Sequence, residues 1–177
     1  MRAIPQTTQT LGVQWARSPR REYRPTGLLR RWTPVDVPAS RYLDWTVDGE
    51  AIGDWFADDD DPRFETTWLN ETDRDVKMIE ASLRALLGER TRRHREVAFD
   101  EGRVALLFCA QCGGLGCGAI TADVAFTTNT AEWRDIARED GAIGGLFPNP
   151  PPRTVVFDRS QYEVTIRTLL ADWTKRA

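Results

Sequence analysis

The chain has 177 residues, 41% of them hydrophobic and 29% charged, with a net charge of −3, which fits one domain with a single sizeable core. No apolar run approaches the ~20 residues of a helical membrane span, and no global field steers the chain to nucleic acid or a membrane surface. The opening Met1–Thr10 lacks the apolar centre of a secretory signal. An odd number of cysteines, three, suits a reducing compartment better than a disulfide framework. A cytoplasmic chain is the expectation.

In chain order, residues 1–10 are polar and expected to be loose. Leu11–Ala16 alternates apolar and polar side chains, which predicts a short first strand. Arg17 to Pro38 reads as a loop with an extended segment, because Pro19, Pro25, Pro34 and Pro38 would break a helix or a central strand. Tyr42–Val47 predicts a second strand, followed by Asp48-Gly49, the dipeptide best suited to a tight hairpin turn. Ile52, Trp55 and Phe56 at i, i+3 and i+4 predict one or two helical turns, ended by the Asp58–Asp61 run and Pro62. Phe64–Leu69 reads as a short strand.

Thr72 is positioned to cap a helix, with Asp75 as its capping-box partner. Val76, Ile79, Leu83, Leu86 and Leu87 share one face of that helix, Glu80 and Arg84 stand at i,i+4, and Gly88 stops it. Val97–Phe99 and Val104–Phe108 flank the turn Asp100–Gly102 as a predicted hairpin. Ala119–Phe126 and Ala131–Ala137 are further strands about a turn at Thr128-Asn129. Gly141–Arg153, rich in Gly and Pro, must be a loop. Val155–Phe157 leads into a last helix capped by Asp158, with Gln161 as third-position partner and Phe157 stapled onto Tyr162. Its apolar stripe is Tyr162, Ile166, Leu169, Leu170 and Trp173. The prediction is one α+β domain over residues 1–177: a mainly antiparallel β-sheet with two principal α-helices packed on one face.

All three cysteines fall in Cys109-Ala-Gln-Cys-Gly-Gly-Leu-Gly-Cys-Gly118. A two-residue gap lets Cys109 and Cys112 reach one ion, and Cys117 supplies a third thiolate, so zinc is the candidate cofactor. A fourth ligand is not evident. His94 and Asp123 are the nearest choices, and neither stands at a usual spacing. Free thiols, a disulfide between two of the three, or plain small buried residues are the alternatives. The Cys-x-x-Cys pair follows an apolar strand as in thioredoxin-like proteins, but that chemistry needs a helix beginning at the motif. Three glycines and a strand-like run follow instead, and the same run removes the helix N-terminus that a phosphate-cradling glycine loop needs.

Other candidates are weaker. His94 lies among Arg90, Arg92, Arg93 and Arg95, the context of a solvated histidine rather than a catalytic base. Asp58–Asp61 lacks the alternating ligands of a calcium loop. Arg20, Arg21, Arg24, Arg30 and Arg31, with Trp15, Tyr23 and Trp32, resemble the cation–aromatic mix of nucleic-acid grooves. The acidic net charge disfavours that reading. Seven tryptophans chiefly mean core packing, and one or two exposed ones would anchor a protein partner.

The cysteine loop resembles the motif Cys-x-x-Cys-Gly-Asp-Leu-Gly-Cys-Gly-Ala of a family of uncharacterised proteins from high-GC Gram-positive bacteria. The resemblance extends to Trp133-Arg-Asp135 and to Val156–Tyr162, roughly the C-terminal half, and Gly114 stands where the family has Asp. Some relatives carry an "oxidoreductase" label, for which this sequence has no cofactor motif. The functional expectation is a non-enzymatic cytoplasmic module that binds another protein, as an adaptor or immunity-type inhibitor does. The alternatives are a thiol- or zinc-dependent enzyme centred on the cysteine loop, and nucleic-acid binding through the N-terminal arginines.

Overall fold

The computed structural model describes residues 7–27, 31–57, 65–72 and 74–175. Two antiparallel sheets share one core. The first has the order β1-β2-β3, with β1 (Leu11–Thr26), β2 (Arg31–Val47) and β3 (Glu50–Ala51). The second is a five-stranded meander of β4 (Glu65–Thr66), β5 (Val104–Cys109), β6 (Gly114–Phe126), β7 (Thr130–Glu139) and β8 (Arg153–Asp158). The helices are α1 (Ile52–Trp55), α2 (Val76–Leu86), α3 (His94–Val97) and α4 (Arg159–Thr174). The fold is therefore α+β, as expected, with its strands divided between two sheets. No described helix is long and apolar enough to cross a membrane.

The largest departure from expectation is Arg17 to Pro38, which is not a loop. It forms most of a long ribbon in which β1 and β2 stay paired from Leu11↔Val47 to Thr26↔Arg31. The prolines are tolerated for positional reasons. Pro19 and Pro38 fall in a register irregularity between Ser18 and Arg20, where a ladder hydrogen bond is already missing. Pro34 and Pro25 pair with Tyr23 and Trp32, two positions apart on the ladder. They thus occupy pairs of one type, and in a two-stranded ribbon that type can face its N–H groups outward.

Asp48 and Gly49 both take positive φ (53° and 86°), as a tight primed turn requires. Helix α2 is capped by Asp75, not Thr72: its carboxylate accepts from the N–H groups of Lys77 and Met78. Thr72 instead pairs its hydroxyl with Ser40 at 2.7 Å. The Glu80–Arg84 pair and the Gly88 stop are as expected. The segment 97–99 joins the sheet only through an isolated Ala98↔Val104 bridge, because His94–Val97 forms a helical turn. The Asp58–Asp61 run, Pro62, Phe64, Arg30 and residues 1–6 lie outside the described residues.

The core is built on aromatic rings from both sheets and α4. Trp133 is fully buried and meets Trp45, Phe157 and Tyr162 at 5.9, 5.2 and 6.0 Å between ring centres. Such edge-on contacts place one ring's positive rim against another's negative face. Asp158 caps α4 through the Gln161 N–H, and Phe157 lies against Tyr162. The Gln161 side chain does not close a capping box; it accepts from the Leu11 N–H and donates to the Leu11 carbonyl, tying β1 to α4.

The Tyr162 hydroxyl accepts from Trp133 Nε1 at 2.9 Å and donates to the Leu86 carbonyl at 2.7 Å. That carbonyl lies in the last turn of α2, where no intrahelical donor remains. Tyr162→Phe therefore strands a buried donor and a buried acceptor. We expect a loss of about 1–3 kcal/mol, read as a lower urea midpoint at unchanged slope.

Candidate functional site

The cysteine turn joins two core strands. Cys109 ends β5 and pairs with Gly114, which starts β6. Between them Ala110–Gly113 closes a tight turn, with the Gly113 N–H on the Cys109 carbonyl at 3.1 Å and Gly113 at φ 65°. The ladder then slips: Phe108 pairs with Ala119 although Cys109 pairs with Gly114. Residues 115–118 are thus surplus on the β6 side and fold back as a bulge, which is how Cys117 reaches the other two cysteines. Gly118 (φ 98°) is demanded by close packing as well, since a Cβ there would lie 2.5 Å from the Glu139 carbonyl.

The three sulfurs lie within 4.8 Å of one another, with Cys109 half-buried and Cys112 and Cys117 exposed. As a thiol, Cys112 is 3.5 Å from the Gly114 carbonyl and 3.8 Å from that of Cys109. Burial alone would raise its pKa. Hydrogen bonds from the Cys117 thiol, the backbone of Cys117 and Gly114, and the Cys109 thiol outweigh burial and bring it below the ordinary thiol value. Cys117 is pushed up to about 12, first by its hydrogen bond to Cys112, then by burial and by the neighbouring thiolates. The Cys112 thiolate is therefore favoured over the others, and Cys117 holds its proton to solvate it. The activating helix of a thioredoxin-like site is absent, since the chain is extended from Gly114. The turn's own N–H and S–H groups do that work, a feature no residue spacing reveals.

No family model matches the chain, and no curated protein and no solved structure matches it either. What the turn can do is read from its geometry. Zn–S bonds of about 2.3 Å set tetrahedral thiolates about 3.8 Å apart, so sulfurs within 4.8 Å need to close by no more than ~1 Å. Among the described residues no His, Asp or Glu joins the group. His94 lies in α3, half-buried, with its Nδ1 buried and unpartnered; burial, then Arg90, lowers its pKa. It is thus less solvated than its arginine-rich context suggests. Asp123 is exposed on β6, opposite Arg134.

The N-terminal arginines do not form an unbroken basic face. Arg21 pairs with Asp36 at 2.9 Å and Arg24 with Glu22 at 2.9 Å. Trp15 is half-exposed, but Arg41 lies 4.5 Å over its ring. Trp45 and Trp133 are core residues, while Trp32 is 68% exposed.

Beside the cysteine turn, the loop after β7 presents Ile143, Leu146 and Phe147 to solvent. Gly141 anchors this loop against the turn, where a Cβ would lie 2.6 Å from the Gly116 carbonyl.

Proposed function

We propose that the protein is a zinc-binding domain in which Cys109, Cys112 and Cys117 hold the ion and a fourth coordination position stays open. The observation that carries this is the convergence of three sulfurs within 4.8 Å on a turn between two core strands. A thiol site with two exposed members and one favoured thiolate suits a soft or borderline cation. Three protein ligands plus an exchangeable position is the coordination of catalytic and ligand-exchanging zinc, whereas structural zinc is closed by four. Thiols that must first lose their protons make binding tighten as pH rises. A reducing, cytoplasmic location keeps the three thiols available.

Metal analysis of the full chain, purified without chelator, is expected to give one zinc per chain and three thiols protected from titration. Cys112→Ser should lose the zinc while its urea unfolding stays cooperative. A metal-free protein with three freely titrating thiols sinks this reading. The protein-docking reading would then take precedence, supported by Ile143, Leu146 and Phe147 exposed beside the turn.

A further inference from the structure

A cavity of about 140 Å³ lies between the β1–β2 ribbon, the segment following β4, and the cysteine turn. Its lining includes Arg20, Ser40, Thr66, Trp68, Asn70 and Phe108. The polar side chains among them divide into two sets. Ser40 shares a hydrogen bond with Thr72 at 2.7 Å, and Thr66 donates to the Thr67 carbonyl at 3.2 Å. Asn70 donates to the Thr67 carbonyl and accepts from the Thr72 N–H. These groups are satisfied within the protein.

The second set is Arg20 and Trp68. Trp68 Nε1 is buried with no acceptor. Arg20 is half-buried and has no carboxylate or other side-chain partner among the described residues, while its neighbour Arg21 is paired with Asp36. The unpaired guanidinium makes the cavity complementary to a ligand that brings acceptors and negative charge, whereas the Trp68 N–H is sealed within the protein and out of a ligand's reach. One guanidinium balances one charge, and its planar fork matches a carboxylate. The remaining wall is aromatic, made by Trp68 and Phe108, whose rings stack on each other at 4.0 Å. The volume is that of a cavity known to hold benzene, roughly 150 Å³.

We propose that this cavity binds a small aromatic carboxylate, with its carboxylate on Arg20 and its ring against the aromatic wall. An inorganic anion would leave that wall uncovered, and a neutral ring would leave the Arg20 charge unpaired. The proposal does not depend on a metal at the thiols, although Ala110 and Gly113 of the same turn border the cavity.

The test is calorimetric titration of the full chain with benzoate, benzamide and inorganic phosphate. Benzoate is expected to bind saturably, one per chain, and benzamide, which keeps the ring but not the charge, at least about tenfold more weakly. Arg20→Gln, on the half-exposed ribbon, should weaken benzoate by about tenfold or more with its unfolding midpoint unchanged. Absence of saturable benzoate binding overturns the proposal. So does benzamide binding as tightly as benzoate, phosphate displacing benzoate at equal concentration, or a folded Arg20→Gln that binds benzoate as well as the parent.

Discussion

Arg103→Met is expected to cost about 3–5 kcal/mol of folding stability, far more than loss of a surface ion pair. Arg103 is 8% exposed and its partner Glu139 4%. The Nε group donates to Glu139 Oε2 at 3.2 Å and to the Thr121 hydroxyl at 3.0 Å. Its Nη2 donates to the carbonyls of Thr121 and Asp135, and Thr121 donates to the same Glu139 oxygen at 2.8 Å. Asp135 is a non-glycine residue at φ 50°, in the β7–β8 register irregularity between Trp133 and Ile136. Its carbonyl is taken up by Arg103 there instead of by the ladder.

Without the guanidinium, Glu139 is a buried charge left, among the described residues, with the Thr121 hydroxyl to solvate it. Removing both charges in Arg103→Met/Glu139→Leu should recover much of the loss, since an apolar pair of similar volume commonly replaces a buried ion pair at little cost. Urea unfolding of the two single variants and the double variant gives the coupling. A loss below ~1 kcal/mol in Arg103→Met would place the pair with ordinary surface pairs and refute the buried network. The consequence reaches the site, because Glu139 pairs with Ala119, the residue immediately after the cysteine turn.

Features set by local chemistry were legible in advance. Asp48-Gly49 has few conformations open to it besides the turn it makes. Asp158 and the stripe Tyr162, Ile166, Leu169, Trp173 define a helix without tertiary help. The extended course after the cysteines followed from glycines that a helix would not tolerate cheaply. Features that depend on distant partners were not legible. The prolines of the β1–β2 ribbon argued against strands, because their compatibility rests on register and on having one neighbour instead of two. Gln161 satisfies the capping-box pattern yet bonds Leu11, 150 residues earlier. Of the site, the thiol spacing was visible; the slipped register that brings Cys117 home and the N–H groups that favour the Cys112 thiolate were not. Arg20 looked like one of a run of cations, and only the pairing of Arg21 with Asp36 sets it apart.

Asp44 is the residue whose environment most contradicts its type, and it is expected to make stability fall as pH rises. It lies on β2 at 2% exposure, with Oδ2 accepting the Gly53 N–H at 3.1 Å and Oδ1 buried without a partner. Gly53 is required there, since a Cβ would lie 2.7 Å from Oδ2. Burial raises its pKa from 3.8 to about 7; hydrogen bonds from the Gly53 and Trp45 backbone oppose this, and the charges of Glu65 and Asp54 add to it. Burial, then Asp44, Glu65 and Asp54, also raise the pKa of Tyr42, so the phenol stays neutral. The folded carboxyl holds its proton more tightly than the unfolded one. Its contribution is therefore fully present below the unfolded pKa, 3.8, and lost as pH rises through the folded value, about 7. At about 1.4 kcal/mol per pH unit, the loss across that window is on the order of 4 kcal/mol. Asp44→Asn keeps an acceptor for Gly53 and removes the charge, at the cost of an amide group with no partner, about 1–3 kcal/mol. Urea unfolding at about pH 5 and about pH 8 should show the parent losing stability that the variant keeps, so that the variant is the more stable at the higher pH. Equal losses in the two proteins would mean that Asp44 is already ionised or hydrated in the fold, and the buried neutral carboxyl would have to be abandoned.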